Sequence, residues 1–137
     1  MAITTMTVFV NALEALDITG ITKTFQGPPR KIDTAELPAK WVQLPRASEG
    51  ALTFGTHGGW PELVADLVIA YEPVGQSLQS ANFQNTITQL DNVNAALRGA
   101  GVTDLGKSHI EWEIRQDIVE VAEVQFWAVV ATVTARG

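Results

Sequence analysis

The alternation of apolar and polar residues is clearest in the C-terminal third of the chain, where it predicts two neighbouring strands. Ile110, Trp112 and Ile114 alternate with charged residues, which gives the first strand one dry face and one wet face. Between residues 124 and 133 both alternating sets are apolar, with Phe126 and Trp127 on opposite sides. A strand of this kind needs cover on both faces, so we expect the rest of the chain to pack against it.

Two other segments have the spacing of amphipathic helices. The first apolar stripe consists of Ile3, Met6, Phe9, Val10, Leu13 and Leu16, and the second of Phe83, Ile87, Leu90, Val93 and Leu97. Thr4 or Thr5 can cap the first helix, which is expected to end near residue 16, and Ser80 can cap the second. We expect the second helix to end where Arg98 is followed by Gly99.

Residues 62–72 alternate as a third strand, in which Asp66 interrupts an otherwise apolar face. With no catalytic partner visible, we interpret Asp66 as a carboxylate at a strand edge or on a water-filled face. From residue 20 to 60 repeated Gly and Pro residues predict an irregular arm, in which only 21–25 and 40–44 can form short edge strands. A long irregular connection in a compact domain usually carries an interaction.

The order of elements predicts one α+β domain over residues 1–137. Two helices can cover one face of a mixed, mainly antiparallel sheet of about four or five strands, which gives a two-layer fold. Trp127 and Val129 then lie on the face that the helices leave open. This face is either a partner surface or the place where the arm folds back, and the pattern favours neither.

Composition narrows the classes of function. The chain has 137 residues, 46% of them hydrophobic, and a formal net charge of -6, so it can bury one core and has no clustered positive charge for binding nucleic acid. It has no cysteine, and therefore no disulfide or thiolate metal site. The N-terminal sequence does not have the pattern of a secretory signal, and no apolar run is long enough to cross a membrane. We expect a soluble, unexported chain without cofactors.

One segment matches the phosphate-binding loop pattern letter for letter: residues 101–108, GVTDLGKS. Such a loop works where it leaves a strand and opens a helix, because backbone N–H groups then point at phosphate. Here a predicted helix precedes it and a strand follows. We interpret the segment as a helix-to-strand turn and keep a small nucleotide-binding enzyme as the weaker alternative.

The remaining candidates are surface features. His57 and His109 have no neighbours at metal-site spacing. Glu111 and Glu113 share a strand face with Arg115, which predicts a solvated row rather than paired catalytic acids. In an assembly this row could face a neighbour or a channel. Aromatic residues in or near glycine- and proline-rich stretches could form contacts; with Trp127 and Val129, the predicted interface residues are Trp41, Phe54, His57 and Trp60.

Six segments together resemble the tail terminator, or tail completion, family of long-tailed bacteriophages. They are 37–45 (LPAKWVQLP), 66–76 (DLVIAYEPVGQ), 81–84 (ANFQ), 94–98 (NAALR), 112–116 (WEIRQ) and 126–131 (FWAVVA). The resemblance covers most of the chain from residue 37 onward. The shared segments are structural, and no catalytic signature belongs to them.

The resemblance implies a non-enzymatic virion protein. Its subunits would assemble in the host cytoplasm into a ring, a hexamer in the family, that caps the head-proximal end of the tail tube in the neck region. The implied partners are other copies of the chain, the tail tube protein and the head-tail connector, with DNA only passing through the lumen. Asp66, Glu111 and Glu113 would be candidates for acids that line it. Another neck or minor tail subunit is the nearest alternative.

Overall fold

The structure, a computed structural model, describes residues 6–48, 62–75, 79–105 and 109–136. The chain there forms α1 (Met6–Glu14), β1 (Lys23–Thr24), β2 (Ala39–Ser48), β3 (Glu62–Pro73), α2 (Gln79–Leu105), β4 (His109–Val121) and β5 (Val124–Arg136). A short 3₁₀ helix, Thr34–Glu36, lies between β1 and β2. The predicted caps Thr4 and Thr5 lie outside the described residues.

All five strands belong to one sheet in the order β1-β2-β3-β5-β4. β1 pairs with β2 in parallel, and the other neighbours are antiparallel. Both helices pack on the same face, which we call the helix face. The predicted α+β two-layer domain with a mixed, mainly antiparallel sheet is therefore confirmed.

The helix face carries the larger part of the core. Phe9 and Leu13 of α1 and Val93 and Leu97 of α2 are fully buried against the sheet. The sheet residues beneath them are Leu63, Ala65, Leu67 and Ile69 of β3 and Val129, Ala131, Val133 and Ala135 of β5. Each set follows the strand period of two, so the pattern in the sequence predicts which side chains share a face.

The opposite side, which we call the second face, is covered over part of its area by the irregular arm. Phe25, Ile32 and Leu37 pack there on a cluster made of Ala39, Trp41, Val68, Ala70, Val121, Phe126, Ala128 and Val130. The arm thus folds back over the sheet, one of the two alternatives left open above. The prediction that Trp127 and Val129 lie on the side left open by the helices is wrong, because both belong to the helix-face cluster.

β2 corrects the expectation that residues 40–44 form an edge strand. β2 lies between β1 and β3, and its pairing with β3 shifts between Gln43 and Arg46. This β-bulge removes Pro45 from the regular ladder, so a proline is tolerated inside the sheet. Leu44 takes a φ of 49° in the bulge and points its side chain outward, 61% exposed.

α2 also differs from its prediction. It continues through Gly99 to Leu105, because glycine inside a helix is only mildly unfavourable. Phe83 and Ile87 are exposed, whereas Thr86 and Gln89 are buried. The described helices include none that is long and apolar enough to span a membrane.

β4 and β5 form one long hairpin. β4 continues well past the predicted strand, and Val121 pairs with Val124 across a two-residue turn. The turn residues, Ala122 and Glu123, have φ values of 53° and 67°. Positive φ at both positions is typical of a type I′ turn, which matches the twist of the flanking strands.

Candidate functional site

A line of connected polar side chains crosses the second face where the arm does not cover it. It consists of Arg46 on β2, Asp66 on β3, Thr132 on β5, and Arg115 and Asp117 on β4, and we call it the polar row. Strand register places these side chains on one face. Asp66 is opposite Thr132, and Thr132 is opposite Glu113, which shares its side of β4 with Arg115 and Asp117. The row joins the four strands β2, β3, β5 and β4 by polar contacts.

Asp66 is the buried centre of the polar row, with 4% of its surface exposed. Thr132 donates a hydrogen bond to Asp66 Oδ1 at 3.0 Å, and Arg46 Nη2 lies 3.6 Å from the same oxygen. Arg115 Nη1 donates to Thr132 Oγ1 at 3.1 Å, and Arg115 Nε lies 3.8 Å from Asp117 Oδ2. Asp66 is therefore an internal anchor for three strands, which corrects the suggestion that it faces a lumen.

Glu111 and Glu113 lie beside the polar row on the exposed side of β4. With Trp112, Thr132 and Thr134 they line a shallow depression of about 320 Å³. The predicted alternation of β4 is correct here, because Trp112 and Ile114 are partly buried between the exposed charges. This part of the second face presents carboxylates to its surroundings.

The bulge in β2 places a leucine beside the polar row. Arg46 Nη1 donates to the carbonyl of Leu44 at 2.9 Å, while Nη2 approaches Asp66. A bulky residue rarely adopts a positive φ, and such a conformation persists only where its surroundings hold it. The exposed leucine is therefore presented in a fixed position, which suits a contact surface.

The described residues do not bring together the side chains of a metal site. Asp66 is bonded to a hydroxyl and paired with a guanidinium, and no group of three metal-ligating side chains occurs in the described ranges. The first five residues of the phosphate-loop match, 101–105, are the last turn of α2 and precede β4. This order is the reverse of the one that directs a helix N-terminus at phosphate.

A second polar cluster lies between α2 and the helix face, and we call it the polar seam. Gln116 Nε2 donates to Thr86 Oγ1 at 2.9 Å and to Tyr71 OH at 3.2 Å, and Tyr71 OH also bonds Thr86. Asn82 bonds Glu72. The seam fixes the N-terminal half of α2 by hydrogen bonds, whereas Val93 and Leu97 fix the other half by apolar packing.

Lys40 is the one lysine buried among the described residues. Its Nζ donates to the carbonyl of Leu16, just beyond the end of α1. Burial lowers the pKa of Lys40, while the charges of Asp17 and Glu14 oppose that shift. Burial also raises the pKa of Glu14, and Lys40 opposes that shift. Lys40 thus ties α1 to β2 and is a structural group.

The predicted interface residues separate into three groups. Trp41 and Val129 are buried inside the subunit, 1% and 0% exposed, so neither side chain can meet a partner. Trp127 is partly buried against the helix-face core. Phe54, His57 and Trp60 lie outside the described residues. Of the predicted acids, Glu111 and Glu113 are exposed and Asp66 is not.

Sequence reasoning missed Arg46, Thr132, Lys40 and Gln116. A signal existed for Lys40, because its parity on β2 puts it on the same side as Val42, where a lysine must have a partner. Arg46 had none, since the bulge changes the parity after Gln43.

Neither a scan of protein-family models nor a search of curated proteins found a match for this chain.

Proposed function

We propose that this chain is a structural subunit of a long-tailed phage virion that forms a ring at the head-proximal end of the tail tube. The ring ends tube growth and offers a surface for joining the head. The number of subunits, six, comes from the tail terminator resemblance alone. The proposal needs neither a cofactor nor a catalytic group.

The observation that carries the proposal is where the resembling segments lie. They fall largely on α2 and on β2, β3, β4 and β5, which are all the described strands except the two-residue β1. The small α+β fold agrees with the fold that the family implies. A likeness confined to loops would not have given this correspondence.

The structure removes one argument for a ring that the sequence alone suggested. The strand over residues 124–133 is apolar on both sides, but the arm and the helices cover most of it within one subunit. The area available for neighbours must come from exposed side chains instead. Leu44 is our first choice, because it is apolar, exposed and held in position by the bulge.

The acidic side of β4 suits a passage for DNA. Glu111 and Glu113 are exposed on one side of that strand, and facing inward they would repel phosphates. Repulsion would keep DNA from adhering to the ring during transit. In this arrangement Asp66 holds strands together and does not line the lumen.

Electron microscopy of purified protein mixed with tail tubes tests the proposal. We expect rings at one tube end and tubes of defined length, and Leu44→Asn should reduce both because asparagine tolerates positive φ without the apolar contact. Val124→Asn, at an exposed valine beside the hairpin turn, is the matched control. Tubes that reach normal length and accept heads without this protein would contradict the proposal, and rings that bind heads but not tubes would indicate another neck subunit.

A further inference from the structure

The outer edge of β4 has no described strand paired with it, and exposed apolar side chains lie beside it. β4 is 13 residues long and lies at the end of the sheet, where no other described strand pairs with it. A long strand edge at the end of a sheet is a template for pairing with another strand. Beside this edge, on the helix face, three large apolar side chains are exposed: Phe83, Ile87 and Ile118.

Phe83 and Ile87 lie along the flank of α2 that follows β4, and Ile118 belongs to β4 itself. Asn94 accepts a hydrogen bond from Trp112 Nε1 at 2.9 Å, which identifies the side of α2 that is next to β4. Phe83, Ile87 and Leu90 precede Asn94 by eleven, seven and four residues, so they form one stripe on that side. A row of apolar side chains therefore borders the outer edge of β4.

We infer that a second copy of this chain pairs with β4, antiparallel and around a two-fold axis at Gln116. With the axis at Gln116, a residue n positions before Gln116 lies opposite the residue n positions after Gln116 in the second copy, so the two residue numbers sum to 232. Arg115 then faces Asp117 of the second copy, twice, and Ile114 faces Ile118, also twice. No pair of like charges meets anywhere between residues 111 and 121.

The neighbouring registers are worse for a simple electrostatic reason. Moving the axis to residue 115 places Arg115 opposite its own copy and Glu113 opposite Asp117. Moving it to residue 117 places Asp117 opposite its own copy. Like charges directly opposite each other destabilise an antiparallel pair, so the pattern on β4 selects the axis at Gln116.

The helices independently favour the same axis. α2 lies over β4 and β5, so the two copies of α2 would be about 9.6 Å apart, two strand spacings of ~4.8 Å. Helices pack at roughly 8–10 Å. Gln116 contacts Asn82 and Thr86, and Phe83 and Ile87 follow these residues on α2, so both copies of the apolar stripe meet at the axis.

The contact closes after two copies, because a two-fold interface uses the same patch on both. It is therefore a state of the free subunit and differs from the head-to-tail contact of a ring. The inference does not rest on the proposed function. A dimer that fails to cap tubes would leave it intact, while capping by a protein that is never dimeric would overturn it alone.

Charge exchange tests the register by sedimentation equilibrium. Arg115→Asp or Asp117→Arg alone should weaken the dimer about ten-fold, since each sets like charges opposite each other. The double variant restores both attractive pairs and should return to within about three-fold of the original dissociation constant. Asp91→Arg, on the exposed surface of α2, is the control and should change nothing. A monomer at all concentrations, or single variants that dimerise normally, would overturn the inference.

Cross-linking gives a second measurement that does not depend on affinity. The chain has no cysteine, so Gln116→Cys introduces one thiol, placed within disulfide reach of its copy at the axis. Oxidation should yield a covalent dimer. Glu113→Cys is the control on the same strand, because its copy would lie about 20 Å away, six residues along the strand. Equal cross-linking of both variants would contradict the proposed axis.

Discussion

The two faces of the sheet are covered in different ways. On the helix face, two regular helices supply apolar side chains to a continuous core, and Leu63, Leu67 and Ile69 of β3 are fully buried. On the second face, an irregular segment covers the apolar cluster around Trp41, and the polar row occupies the uncovered part. Adjacent residues of one strand, such as Asp66 and Leu67, thus have opposite environments.

The two faces therefore have different roles: one buries side chains in the core, and the other keeps some side chains exposed. The part of the sheet that lies beneath the helices buries its side chains and cannot present them to another molecule. The second face keeps Glu111 and Glu113 exposed while Asp66 and Arg46 hold the strands beneath them, and Leu44 is exposed in the bulge of β2. We therefore expect substitutions of the side chains buried beneath the helices to affect folding, and those on the exposed part of the second face to affect assembly.

The largest expected effect tests whether the arm is a true part of the core. Trp41→Ala should lower the free energy of unfolding by about 3–5 kcal/mol, because the indole is 1% exposed beneath the arm. Leu67→Ala on the helix face is the comparison and should lower it by about 2–5 kcal/mol. Urea denaturation measures both. A loss below about 1 kcal/mol for Trp41→Ala would mean that the arm contributes little cover.

The next prediction concerns the polar row. Asp66→Ala should lower the free energy of unfolding by about 2 kcal/mol, since Arg46 and Thr132 lose the carboxylate that pairs with them. Asp66→Asn retains an acceptor for Thr132 and should lose less. Equal effects of the two substitutions, measured by thermal and urea unfolding, would show that hydrogen bonding to Thr132 is unimportant.

The sequence predicted which residues of a strand share a side, but it did not predict which side of β5 the helices cover. Strand alternation in β3 and β5 shows which residues share a side, and α1 follows an ordinary apolar stripe. The arm has no periodicity, so nothing indicated that Phe25, Ile32 and Leu37 would pack on Trp41. Tertiary contacts of this kind depend on chain reversal, which a one-dimensional pattern does not contain.

α2 explains why a correct element can have an incorrect face. The stripe from Phe83 to Leu97 has helical spacing, but the sheet beneath the start of α2 presents Tyr71 and Gln116. These polar groups need partners, and Thr86 supplies one. The helix is therefore rotated so that Phe83 is exposed. The sequence predicted the helix, but it did not show that the sheet beneath the helix carries polar groups that need hydrogen-bond partners.

A smaller effect, with a defined pH dependence, is expected for the lysine that ties α1 to β2. Lys40→Met should lower the free energy of unfolding by about 1–2 kcal/mol at neutral pH, because the Leu16 carbonyl loses its donor. Burial lowers the pKa of Lys40 from 10.5, so towards that pH the unfolded chain holds the proton more strongly than the folded chain. Stability of the original protein should then rise relative to Lys40→Met as pH increases towards 10.5.

Urea unfolding of both proteins at several alkaline pH values measures this difference. Other titrating groups are common to the two proteins and cancel. Glu14, whose pKa is raised from 4.5 by burial, titrates in a separate, acidic window and does not interfere. A difference that stays constant, or that shrinks as pH rises, would mean that the ammonium of Lys40 is not penalised by its surroundings.

The smallest expected effect distinguishes two carboxylates that lie on either side of Thr132. Asp66 and Glu113 are both opposite Thr132 in the strand register, one on β3 and the other on β4. Glu113 is exposed, so Glu113→Gln should change the free energy of unfolding by less than about 0.5 kcal/mol. The same substitution removes a negative charge from the face proposed to line the DNA passage, and it should slow DNA transit in assembled virions while leaving urea unfolding unchanged. A destabilisation as large as that of Asp66→Ala would mean that Glu113 also holds the strands together. The carboxylates of the second face would then not be free to contact other molecules without loss of stability.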